Sequence, residues 1–302
     1  MIISASYRTD IPAFYRDWFL TRFAAGHCMV ANPYGGPPSR VALRQGVDGY
    51  VFWTRNARPF LPALDAVRAA GLPFMMSWTV TGYPRPLEPA VIETAQAIDG
   101  MRQIAARFGR RTLVWRYDPI LVTDLTPPEW HRRTFTDLAR QLAGVVDEVV
   151  VSFAQIYRKT RRALDRRGHD HGFAWRDPPL AEKRQAVALL AGIAAEQGIT
   201  LSICSQPQLE RETAPAARCI DLVRLSDLAG RPLRGRGKGH RPGCACAESR
   251  DIGAYDSCPQ GCVYCYAVAD RQAARDRLRH HDPNAPFLAC RGGSSDPGAD
   301  TA

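Results

Sequence analysis

The chain has 302 residues, 45% hydrophobic and 23% charged, with 40 Lys and Arg against 30 Asp and Glu for a net charge of +10. This is the composition of a globular protein with enough chain to bury a large core, so no disulfide is needed to hold the fold. No stretch approaches the roughly 18 apolar residues of a membrane helix, and "MIISASYRTDIP" lacks the basic-then-apolar pattern of a signal peptide, so a cytoplasmic protein with no membrane partner is expected.

In chain order, short β-branched or aromatic runs predict strands over 1–6, 49–54, 74–80, 112–117, 148–153, 200–204 and 251–256, with "IDLVRL" (220–225) as an eighth candidate. Amphipathic stretches between them predict helices over 90–108, 129–144 and 180–198, and "IPAFYRDWFLTRF" follows Asp10 as a possible helix cap. Strand–helix alternation at this spacing implies an α/β fold with a parallel sheet and outer helices. A TIM-like (β/α) barrel or partial barrel is expected, with the cysteine-loop strand at its C-terminal end. Residues 1–226 would supply the barrel strands and helices, and 227–250 an irregular Gly-, Pro- and Arg-rich insert. Residues 251–290 would complete the same barrel, leaving 291–302 as a disordered tail.

Residues at the carboxyl ends of such strands line the active site. That rule selects "SYRTD", "WTRN", "SWTVTGYP", "WRYDP" and "SFAQIY". Arg55, Asn56, Trp78, Arg116 and Asp118 are the candidate substrate-binding residues, and their polarity suggests a polar or anionic substrate. The basic runs 158–167 and 231–241 leave two readings open, a solvated surface or a nucleic-acid or phosphate-bearing partner.

Nine cysteines in a reducing compartment point to metal rather than bridges. Cys258, Cys262 and Cys265 follow the pattern Cys-x3-Cys-x2-Cys, with Tyr264 before the last. Three thiolates leave one iron of a 4Fe–4S cluster open to a ligand, whereas structural zinc takes four ligands. Cys204, Cys219, Cys244 and Cys246 form a second set, for which an auxiliary cluster, a structural zinc or no complete site all stand open. Cys28 and Cys290 are expected to be unliganded.

The triad, its aromatic residue and its strand–loop–helix setting resemble the radical S-adenosylmethionine superfamily, which normally places this loop early in the domain. A circular permutation accounts for the late position: the strand at 251–256 is then the first barrel strand, lying parallel and adjacent to 1–6. The chain also resembles a bacterial family with S-x-R-T-D-I-P near the start and D-I-G-x-Y-x-x-C-P-x-G-C-x-Y-C-Y-A near the end. The resemblance implies a 4Fe–4S cluster on Cys258, Cys262 and Cys265, with S-adenosylmethionine bound at the free iron. It also implies a 5′-deoxyadenosyl radical that abstracts hydrogen, and an electron donor such as flavodoxin or ferredoxin. The superfamily's glycine-rich segment has no literal match. Ser4, Ser6, Arg8, Thr9 and Asp10 stand in its place, so Ser6, Arg8, Asp10 and Tyr264 are the candidate cofactor-binding residues, with Arg8 facing the carboxylate and Asp10 the ammonium. A buried Arg8–Asp10 pair that fixes the loop is the competing reading. The alternative function is a non-radical iron–sulfur or zinc protein that binds nucleic acid.

Overall fold

The computed structural model describes residues 1–33, 35–239 and 241–289. The expected tail at 291–302 and Cys290 lie outside the described residues.

Seven strands form one sheet: β1 (Ile2–Ala5), β2 (Gly49–Thr54), β3 (Phe74–Thr79), β4 (Leu113–Ile120), β5 (Glu148–Phe153), β6 (Thr200–Ile203) and β7 (Ser249–Asp251). Their order is β6-β5-β4-β3-β2-β1-β7 and every neighbouring pair is parallel. Each strand therefore lies beside its predecessor, except that β7, the last in sequence, pairs with β1 in the register Ser4↔Asp251. The strand before the cysteine loop does lie parallel and adjacent to the N-terminal strand, although it spans 249–251 rather than 251–256. Strands β6 and β7 are opposite edges, so of the two expected forms, barrel or partial barrel, the closed barrel is not met; the sheet is open and flanked by helices.

Among the described residues, nine α-helices connect and cover the strands: α1 (Ile11–Phe14), α2 (Arg16–Ala24), α3 (Leu61–Ala69), α4 (Thr94–Phe108), α5 (Pro128–Leu142), α6 (Arg158–His171), α7 (Leu180–Glu196), α8 (Leu222–Ala229) and α9 (Arg271–Arg279). The eighth strand candidate, 220–225, is instead the start of α8. Asp221 caps it by accepting from the Val223 amide at 2.8 Å, Gly230 closes it in the left-handed conformation, and Leu222, Leu225 and Ala229 recur at helical spacing. Two antiparallel pairs, 27–30 with 39–42 and 122–123 with 175–176, were not signalled by the sequence.

Parallel strands buried on both faces read as continuous apolar runs, and here side-chain parity divides them. Ile3, Tyr50, Phe52, Met76, Trp78, Trp115 and Val151 face the main helical layer. Ile2, Val51, Met75, Val114 and Val150 face the other way, where Leu225 of α8, Ala217, Ile220, Leu233 and Ala247 cover them. The irregular 227–250 stretch thus folds back over the sheet rather than away from it. Among the described residues, no helix is long and apolar enough to cross a membrane.

Candidate functional site

The carboxyl ends of β1 to β6 and the loop that follows β7 open on one cavity of about 1050 Å³. Backbone chemistry builds its wall. After β7 the chain passes Gly253, where a Cβ would meet the Ser6 hydroxyl at 2.0 Å, so only glycine lets the β1 loop approach this closely. The cysteine loop then turns at Gly261, in the left-handed region with φ +79°. Its carbonyls are taken by side chains from outside: Tyr15 donates to Ser257 O at 2.7 Å and Arg271 Nε to Pro259 O at 3.0 Å. Cys258, Cys262 and Cys265 line the cavity.

Asp251, which the sequence reading passed over, anchors the β1 loop. Its carboxylate accepts from Ser4 Oγ at 2.7 Å, Ser6 Oγ at 2.8 Å, Gly253 N at 2.9 Å and Tyr7 N at 3.1 Å. Burial pushes its carboxyl up, opposed by Arg8 and the two hydroxyls. Arg8 Nε lies 3.7 Å from Asp251 Oδ1, and its guanidinium sits over the rings of Tyr7 and Tyr255. Arg8 therefore pairs with Asp251 and not with Asp10.

Asp10 is engaged elsewhere. It accepts from Ala13 N at 3.0 Å, capping α1, from Thr54 Oγ1 at 2.7 Å, from Arg55 N at 2.8 Å and from Gln260 Nε2 at 3.3 Å. The cap seen in the sequence is real, and the same carboxylate ties β1, β2 and the cysteine loop together. Tyr264 donates to Glu88 and accepts from Arg55. Arg55 Nη1 lies 2.9 Å from Glu88 Oε1, and Thr81 donates to the same oxygen at 2.8 Å. Burial opposes the Arg55 charge, but the Cys262 sulfur and Glu88 outweigh it and hold the guanidinium well above its usual range. Glu88 sits in a loop with no motif and was not legible.

On the β4 side, Arg116 pairs with Asp118, which accepts from Ser152, and Arg116 lies 5.2 Å from the Trp53 ring centroid. Arg55, Arg116 and Asp118 all line the cavity, whereas Asn56 and Trp78 do not. Trp78 is fully buried on the helical face, having the parity of Met76, and Asn56 accepts from Arg58 N in the turn before α3. Cys28 is buried in the strand 27–30.

The second cysteine set converges at the end of β6. Cys204 and Cys219 Sγ are 3.6 Å apart, Cys219 hydrogen-bonds with Cys246, and Cys246 with Cys244. Two guanidiniums aim at this row: Arg116 Nη1 donates to Cys219 Sγ at 3.0 Å and Arg241 Nη2 to Cys204 Sγ at 3.3 Å. Among the described residues, no three His, Cys, Asp or Glu side chains are already drawn around one ion position.

The fit to a cofactor rests on the donor set and on unmet polar atoms. Three thiols share the cavity with Arg8 Nε, Thr9 Oγ1 and Gln260 Oε1, each buried without a hydrogen bond. Buried polar atoms are ordinarily paired, so these three suit a polar ligand beside the thiols.

No curated protein and no solved structure matches the chain. One family model covers residues 2–267, which takes in both the β1 loop and the cysteine triad. The chain belongs to that family, described as a domain of unknown function (DUF1848).

Proposed function

We propose that the protein is a radical S-adenosylmethionine enzyme built on a circularly permuted partial (β/α) barrel, acting on a polar or anionic substrate. The observation that carries this reading is the convergence of Cys258, Cys262 and Cys265 with the Arg8 guanidinium and with Thr9 Oγ1 and Gln260 Oε1, which accept or donate no hydrogen bond, in one cavity at the carboxyl edge of a parallel sheet. The strand order supports the partial barrel: it runs in one direction, where a doubly wound sheet reverses at a switch point. Taking β7 as the first strand places the cysteine loop after strand one, as in the superfamily it resembles.

In this reading the three thiolates hold a 4Fe–4S cluster. Such a cluster, when bound and reduced, would supply one electron to the sulfonium of S-adenosylmethionine, whose S–C5′ bond would break to give methionine and a 5′-deoxyadenosyl radical. The chain's own groups do the positioning. The Arg8 guanidinium, whose Nε side faces Asp251, suits the methionine carboxylate through its remaining N–H groups, and the Gln260 Oε1 acceptor suits the ammonium, a role left to it because all the close contacts of Asp10 are internal. The Tyr264–Glu88–Arg55 group fixes the loop between Cys262 and Cys265 against the 81–88 segment, and Arg116 and Asp118 present charge to the substrate.

The second cysteine set supports a structural metal site. A tetrahedral ion with sulfurs at about 2.3 Å places them about 3.8 Å apart, close to the 3.6 Å between Cys204 and Cys219. A four-iron cluster spreads its thiolates more widely, so a single zinc is the better match. Four thiolates on zinc carry a net charge of −2, against which Arg241 and Arg116, the latter shared with Asp118, donate.

The test is anaerobic reconstitution with iron and sulfide, then dithionite and S-adenosylmethionine. Release of 5′-deoxyadenosine, lost in Cys262→Ala, is expected. Reconstituted protein that holds a cluster yet releases none would favour the non-radical alternative.

A further inference from the structure

We propose that the substrate brought to this cavity is a single-stranded nucleic acid, its backbone tracked by α6 and its target base admitted past Tyr157 and Tyr266. The role of the cavity floor rests on the radical reading above; the binding does not.

The mouth is basic by construction. Arg158, Arg162 and Arg166 follow one another at four-residue intervals along α6 and line the cavity with Lys159 and Arg167, while Thr160, Leu164 and Gly168 form the buried face of the same helix. Like charges four apart on a helix repel. Among the described residues Arg158, Arg162 and Arg166 have no carboxylate within 4.0 Å to relieve that repulsion, whereas many arginines elsewhere on the surface do, such as Arg107 with Asp65 and Arg132 with Glu129. An anionic ligand supplies the missing charge. Four residues of helix advance about 6 Å, a stride close to the spacing of phosphates along an extended single strand. Arg271, from α9 across the mouth, adds to the same rim.

The rim also carries rings. Tyr157 is 48% and Tyr266 50% exposed, and both line the cavity. Lys159 Nζ donates to Tyr266 O at 2.6 Å and Val268 O at 3.0 Å, fastening the basic helix to the end of the cysteine loop. Exposed aromatic rings beside a cationic track are the arrangement that stacks bases while arginines hold the backbone. An acidic peptide such as poly-glutamate would use the charge but has no base to stack on the rings. The cavity, at about 1050 Å³, lies at the top of the usual range for a ligand site, the size a base turned out of its strand beside a bound cofactor requires.

The experiment is fluorescence anisotropy with labelled single-stranded RNA and DNA, duplex DNA and poly-glutamate, using the full-length protein over a salt series. Binding to single strands over duplex and poly-glutamate is expected, falling steeply with salt; the RNA and DNA arms identify which polymer is preferred. R158E/R162E/R166E should weaken it by about 100-fold or more and flatten the salt slope. Tyr266→Ala should weaken it about 10-fold with the slope unchanged. Circular dichroism and the urea midpoint verify that both variants fold. No single-strand binding at low salt, equal binding of poly-glutamate, or an unchanged affinity in the folded triple variant would overturn the proposal. Binding without release of 5′-deoxyadenosine sustains this inference and defeats the radical reading, and release without binding does the reverse.

Discussion

His131 of α5 is 5% exposed and joined to both sides of its pocket: Tyr117 Oη lies 2.8 Å from Nδ1, and Nε2 lies 3.0 Å from Leu121 O. A neutral ring that accepts at Nδ1 and donates at Nε2 satisfies both, and burial lowers its pKa to about 4. The unfolded ring titrates near 6.5, so the unfolded chain binds the extra proton first as pH falls. The stabilisation is complete above pH 6.5 and is lost towards pH 4, amounting to about 3 kcal/mol. Urea midpoints measured across that window should fall for the native chain and change less for His131→Asn; parallel profiles would refute the assignment. Nothing in "EWHRRTF" announced this, because burial of a lone histidine is a tertiary fact. The place of Cys258, Cys262 and Cys265 together at the cavity was legible by their spacing, and the Asp10 cap by its place before a helix. Trp78 was misplaced because a strand end was chosen without its parity, and Asp251 and Glu88 were missed because a lone acid carries no local pattern.

The seam between β1 and β7 decides whether the cysteine loop reaches the cavity. Ser6, Asp251 and Gly253 meet there, and the Ser6 hydroxyl is held by Asp251 and by the Arg8 amide at 2.9 Å, so it cannot swing aside for a new methyl group. Gly253→Ala should therefore cost at least about 2 kcal/mol in overpacking and lower iron uptake on reconstitution. A wild-type urea midpoint with full iron would show that the seam has slack. Six of the seven sheet strands were read close to their bounds because a strand buried on both faces is an apolar run whatever its neighbours are. β7 was read late, since "SRD" pairs only through β1 and "IGAYD", though apolar, continues as loop. The "IDLVRL" run failed for a related reason: its cap and closing glycine outweigh its β-branched residues.

The last strand in sequence pairs with the first, so β1 and β7 meet beside the proposed cluster, and the opposite edge at β6 carries the second set of thiols. Between Cys204 and Cys246 the chain runs through α8 and a Gly-rich path that covers one face of the sheet with few regular hydrogen bonds. Such a segment loses much conformational entropy on ordering, and a metal ion joining Cys204, Cys219, Cys244 and Cys246 would offset that loss. With Cys258, Cys262 and Cys265 all changed to Ala, the second set is left as the cysteine-rich site. That variant, purified without added metal, should carry about one zinc per chain. Adding Cys219→Ser should remove it and lower the thermal midpoint. The same change should make the 205–247 segment the first to be cut by protease, since its covering of the sheet no longer has a pin. Folded protein without zinc, or a variant holding about four irons instead, would mean that the 3.6 Å approach of Cys204 and Cys219 reflects thiol packing or a cluster rather than a single tetrahedral ion.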